Sequence, residues 1–156
     1  MNRSTKASQE YLKSAVLTAT PEQLQMMLYD GAIRFTSRGK EALEHKDFEG
    51  AFNGFERAQR IVLELNNGLH REINPQLVDQ MSSLYDFVYR RLIFANLHQN
   101  LEAADEAINI LKHMRETWQM LIDKLASQSP QTVKSHASAE SAGEANEAGP
   151  ALSIEG

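Results

Sequence analysis

The chain has no cysteine among its 156 residues, which excludes a disulfide framework, a thiol nucleophile and a thiolate metal site. No apolar run approaches the roughly 18 residues that a membrane span needs. The first residues also lack the apolar stretch of a signal peptide. These absences predict a cytoplasmic chain without membrane insertion. Strand signals are missing, and the four prolines are few and placed. Pro21 and Pro75 open helical patterns, whereas Pro130 and Pro150 lie in a tail. The net charge is −5, and residues 127–156 hold four acids and one base of it. Residues 1–126 are left at −2, close to neutral, which argues against a nucleic-acid footprint.

Catalytic and cofactor signatures are equally scarce. Helical bundles often carry di-iron centres through Glu-x-x-His. Ala42, Asn67, Ala95, Ile110 and Val133 stand three residues before the five histidines, and none is Glu. A haem would need an inward ligand with supporting hydrogen bonds. His113 is the one mid-helix histidine, and it reads as a boundary residue. No phosphate-cradling glycine loop, nucleophile elbow or evident carboxylate pair occurs. The expectation is a non-enzyme with no catalytic residues, no metal and no cofactor.

Present instead are four long helical patterns within residues 20–126. Thr20-Pro21-Glu22-Gln23 combines a cap, a proline at the first helical position and a capping box. The stripe that follows is Leu24, Leu28, Gly31, Phe35 and Ala42, flanked by Met27, Ala32 and Leu43, ending near His45. Asp47 caps a second pattern, with Phe48, Ala51, Phe55, Ala58, Val62, Leu65 and Leu69 at spacings of three and four. Asn74-Pro75 opens a third over 75–98, and Asn100 caps a fourth. The fourth stripe holds Ala104, Ile108, Leu111, Arg115, Trp118, Ile122 and Leu125.

Each pattern runs about 24 residues, roughly 36 Å of helix. Long helices of equal length with short connections predict an all-α, antiparallel up-down-up-down four-helix bundle. Residues 1–19 fall outside it as a short N-terminal capping segment carrying Tyr11, Leu12, Val16 and Leu17. Residues 127–156 are Ser/Ala/Glu/Gly-rich without apolar periodicity and are expected to be a disordered tail.

The third pattern is more apolar than one bundle seam needs, most of all over 84–96. At 100° per residue, Leu77, Met81, Leu84, Val88, Leu92 and Ala95 form one stripe, the expected core face. Val78, Tyr85, Tyr89 and Ile93 form a second stripe, and Phe87 and Phe94 widen the arc. A surplus of this kind suits one wall of a groove for another helix. The candidate partner surface is Met27, Tyr29, Ile61, Leu65, Val78, Tyr85, Tyr89 and Ile93, with aromatic anchors at its centre. Residues 1–19 are expected to cover that surface until a partner replaces them. Arg38 and Arg91 lie inside apolar arcs and need partners. Ion pairs across the rim, to Asp30 or Asp86, are the expectation for them.

Three blocks resemble the flagellin export chaperone family (FliS). They are residues 18–24 leading into Leu28-Tyr29-Asp30-Gly31-Ala32; Ala58-Gln59-Arg60-Ile61-Val62 with Leu65; and Leu84-Tyr85-Asp86 with Arg90-Arg91-Leu92 and Ala95-Asn96. Trp118 also fits. Phe87 stands where the family commonly has Tyr. The resemblance covers residues 11–126. It implies a cytoplasmic chaperone that binds the C-terminal segment of flagellin, prevents early polymerisation and delivers it to the flagellar type III export apparatus. It also implies a monomer when bound to cargo. The competing reading is a homodimeric helical-bundle adaptor that buries its surplus face against a second copy.

Overall fold

The computed structural model describes residues 4–72 and 74–128. The tail from 129 onward, expected to be disordered, lies outside the described residues, as does Ile73. The chain is all-helical: α1 (Asn2–Thr18), α2 (Pro21–Glu44), α3 (Phe48–Asn67), α4 (Pro75–His98) and α5 (Leu101–Glu155). Where the sequence suggests four helices and a short leading segment, five helices stand, because residues 2–18 form a 17-residue helix. The chain divides into two compact units, Met1–Trp118 and Gln119–Gly156. The second is described only at its start, where Gln119 donates to Asp123 at 2.9 Å and the Ser127 hydroxyl to the Lys124 carbonyl at 2.8 Å.

Local chemistry sets the helix boundaries. The Thr20 hydroxyl accepts from the Gln23 amide at 3.2 Å, and the Gln23 side chain accepts from the Thr20 amide at 3.1 Å. That closes the capping box reciprocally. Asp47 accepts from Gly50 N–H at 3.0 Å, Asn74 from Leu77 N–H at 3.2 Å and Asn100 from Ala103 N–H at 2.8 Å. Each cap satisfies a donor that the first helical turn would leave unpaired. Lys46 (φ 59°) and Gln99 (φ 52°) turn the chain left-handed just past α2 and α4.

One core collects side chains from α2, α3, α4 and the first half of α5, including Tyr29, Ala32, Phe55, Val62, Tyr85, Leu92, Ala104 and Leu111. Small residues let α2 and α3 approach closely and antiparallel. Gly31 lies under Ile61, and Gly39 under Phe55. A Cβ placed on Gly54 would lie 2.7 Å from the Gly39 nitrogen and 2.8 Å from the Phe35 carbonyl oxygen. Here a side chain would meet backbone, so Gly54 cannot carry one without parting the helices, while a Cβ on Gly39 would press into the Phe55 ring.

Polar ties mark the seam of α2 with α5. Lys40 contacts Asp105 at 2.6 Å, Arg115 pairs with Asp30, and the Trp118 indole donates to the Glu22 carbonyl at 3.0 Å. Residue numbers fall along α5 as they rise along α2, so these two helices also run antiparallel. Asn66 donates to Asp86 at 3.1 Å and ties α3 to α4.

A candidate docking surface on the helical core

The eight candidate partner-binding residues divide by depth. Tyr29 (1% exposed) and Tyr85 (0%) are core residues, and Leu65 and Val78 are buried with them. All four are buried in the fold without cargo. The reason is a polar tie the sequence does not announce. The Tyr29 and Tyr85 hydroxyls meet at 2.6 Å, and Gln25 reaches Tyr29 Oη at 3.5 Å. A phenol whose hydroxyl has a buried partner can sit in a core, and its ring then contributes apolar burial. Burial pushes both phenols above their ordinary value of 10.0. At Tyr85 the neighbouring Tyr29 adds to the rise, while at Tyr29 the hydrogen bonds with Tyr85 and Gln25 oppose it.

Burying Tyr85 rotates α4. Its core face is Val78, Tyr85, Val88, Leu92 and Ala95. This is roughly 40° from the face centred on the leucine stripe. Leu77 and Leu84, expected inside, are exposed together with Phe87, Phe94 and Leu97. Leu77, Leu84, Phe87 and Phe94 fall within one arc of the helix and span about 26 Å along it. The surplus apolar wall on α4 thus keeps Phe87 and Phe94, which widen the arc in the sequence, and joins them to Leu77 and Leu84 in place of Val78 and Tyr85. Tyr89 and Ile93 are half-buried on the other flank of the core face, and Met27 and Ile61 are half-buried on α2 and α3. Phe48, Phe52 and Leu63 add exposed apolar groups on α3.

Arg91 sits within the exposed α4 arc. It stacks 5.0 Å from the Phe94 centroid, and its Nε lies 2.9 Å from Glu106 Oε2. The angle is too bent for a hydrogen bond, so this pairing is mainly coulombic. Its partner is therefore Glu106, not Asp30 or Asp86; Asp30 is taken by Arg115 and Asp86 by Asn66. Arg38, the other cation in an apolar arc, has Phe35 as its neighbour, with the ring centroid 5.7 Å away. A second apolar feature is a cleft of about 530 Å³ lined by Leu24, Leu28, Leu65 and Trp118. It lies where α2 begins, next to the end of α1.

On α1, Tyr11 (77% exposed), Leu12, Val16 and Leu17 (75%) all face solvent. They are not docked on the core in this structure. Among the described residues no group of three acidic or histidine side chains could hold a metal ion, and no helix is long and apolar enough to cross a membrane. His113 is exposed.

The model of "Flagellar protein FliS" matches residues 4–125. The chain belongs to the FliS family. Flagellar secretion chaperone FliS of Bacillus subtilis is 35% identical over 112 residues, covering 72% of this chain and 83% of that protein. Flagellar secretion chaperone FliS of Salmonella typhimurium is 33% identical over 122 residues, covering 78% and 90%. A solved structure described as a flagellar chaperone from bacteria has a TM-score of 0.63 at 19% identity, covering 78% of this chain and 98% of that one. That likeness shows a shared fold. FliS relatives are named as chaperones, a family of binding proteins and not of enzymes.

Proposed function

We propose that this FliS-family chain is a cytoplasmic flagellar secretion chaperone. It binds the C-terminal segment of flagellin, holds it from early polymerisation and presents it to the flagellar export apparatus. The observation that carries the reading is the exposed apolar face Leu77, Leu84, Phe87 and Phe94 on α4. A polymerising helix is apolar on one face and unstable alone. A preformed helical wall supplies the missing half. The relatives' name, flagellar secretion chaperone, supports a role in flagellar export.

In this reading α2 to α5 form an antiparallel up-down-up-down four-helix bundle that acts as a rigid platform. Cargo gains helix along α4, with Tyr89 and Ile93 on one flank and Met27 and Ile61 as further contacts. Binding needs no nucleotide, metal or covalent step. Ordering the cargo costs about 2–5 kcal/mol of the gross interaction, which keeps the complex stable yet releasable at the export gate. The chaperone is a monomer when it holds cargo.

Residues 1–19 serve as the N-terminal cap. Tyr11, Leu12, Val16 and Leu17 and the α4 face are two apolar surfaces tethered in one chain, at high effective concentration. The segment covers the face part of the time, and cargo must displace it, so the observed affinity is the intrinsic one scaled by the uncovered fraction. Isothermal titration of a flagellin C-terminal peptide into the full chain and into a variant with Leu84, Phe87 and Phe94 changed to Ser tests the reading. Binding lost in the variant, with helicity kept, supports it; equal binding removes the α4 face. A tight dimer with no peptide binding would establish the adaptor instead.

A further inference from the structure

Three arginines converge on one aromatic ring on the side of the core made by α2 and α3. The guanidinium carbons of Arg34, Arg57 and Arg38 lie 5.1, 5.4 and 5.7 Å from the Phe35 centroid. Any two of them are therefore within about 11 Å of each other, near one Debye length at ordinary salt. All three side chains are exposed, and Phe35 is half-buried.

Their neighbours make the arrangement unusual for this chain. The ion pairs among the described residues engage Lys40, Arg60, Arg71, Arg91 and Arg115, and none engages Arg34, Arg38 or Arg57. Glu56, next to Arg57 on α3, is already bonded to Arg60 at 2.6 Å. Glu41, one turn beyond Arg38, shares a shallow cleft with Arg38 and His45 but makes no ion pair. Three like charges are thus gathered in a chain whose net charge is −5. Arg34 and Arg38 are also spaced i, i+4, where like charges repel. The ring offsets part of this through cation–π attraction.

We infer that the α2–α3 face is a docking site for an acidic helical segment of a protein partner, distinct from the apolar α4 face. Fixed guanidinium forks suit carboxylates, which they bind in bidentate fashion. Arg34 and Arg38 are about 6 Å apart along the α2 axis, the spacing of two carboxylates at i, i+4 on a facing helix. Arg57 provides a third contact from α3. Nucleic acid fits less well, because Glu41 shares a cleft with Arg38 and Glu56 adjoins Arg57, and both interrupt any positive track.

The test uses the full chain at about 50 mM salt and a fluorescein-labelled, alanine-based helical peptide with Glu at i, i+4 and i+7. Its Gln counterpart and a single-stranded oligonucleotide of equal charge serve as competitors. Anisotropy is measured for wild type, for the triple variant R34Q/R38Q/R57Q and for the charge-matched control K46Q/K112Q/K124Q, with helicity checked by circular dichroism. The inference predicts that wild type prefers the Glu peptide over both competitors. It also predicts that the arginine triple variant loses at least tenfold in affinity, while the lysine control stays within threefold. Equal losses in both triples, preference for the oligonucleotide, or no binding of the Glu peptide to wild type would each overturn it. None of these results depends on whether flagellin is the cargo of the α4 face.

Discussion

Replacing Tyr85 by Phe removes one oxygen from the centre of the core and leaves Tyr29 with only the 3.5 Å contact to Gln25. Tyr85 is fully buried, so water cannot substitute for the lost partner. An unsatisfied buried hydroxyl costs about 1–3 kcal/mol. With the weak Gln25 contact remaining, Tyr85→Phe should destabilise by about 1.5 kcal/mol. Tyr29→Phe should cost about the same, because it orphans the other hydroxyl. The double variant removes both polar atoms and keeps both rings, so its loss should be less than the sum, with about 1 kcal/mol of coupling. Urea unfolding followed by circular dichroism gives all four corners of the cycle. Strict additivity would refute the account of a shared buried bond. The same variants discriminate core from anchor: flagellin affinity should change less than threefold, whereas a loss of affinity with stability intact would return the pair to the binding surface.

Alkaline titration should show the same pair. Both folded phenols titrate above their ordinary 10.0, so above that pH the unfolded chain releases protons that the folded chain retains, and stability falls as pH rises. Urea midpoints between pH 9 and 12 should drop, and the drop should be smaller in the double Phe variant; equal slopes would contradict it. Gly54→Ala forces a methyl against the Gly39 backbone. It should destabilise by about 1–2 kcal/mol despite the better helix propensity of alanine, because overpacking outweighs it; a stabilised variant in urea unfolding would refute the close crossing. Deleting residues 1–17 should speed association of the flagellin peptide in stopped flow and raise aggregation of the cargo-free protein; slower and weaker binding would mean that the segment supports cargo directly.

The starts of α2 to α5 were legible because they are written in local chemistry. Thr20-Pro21, Asp47, Asn74-Pro75 and Asn100 each cap in the structure as their residue types require. The excess of apolar surface on α4 was legible as well. The phase of α4 was not, since Leu77 and Leu84 look more core-like than Tyr85, and only the hydroxyl of Tyr29 across the core reverses that order. Long-range partners are invisible to helical periodicity, which also hid Glu106 as the partner of Arg91. Gly31 was read as a stripe member, but the Gly39–Gly54 crossing depends on α2 and α3 meeting at that height. The extent of α1 was missed because its residues are the least apolar of the five helices and its first turn carries no acidic residue. The convergence of Arg34, Arg38 and Arg57 on Phe35 likewise needs two helices side by side.

The central claim is that the exposed apolar face of α4 holds the C-terminal segment of flagellin. Hydrogen exchange of the chaperone with and without that segment tests it most directly, because it reports on every backbone amide at once. The account predicts added protection along α4 from Leu77 to Phe94, with the peptide itself gaining protection as it becomes helical. Unchanged exchange along α4 at saturating flagellin peptide would contradict it.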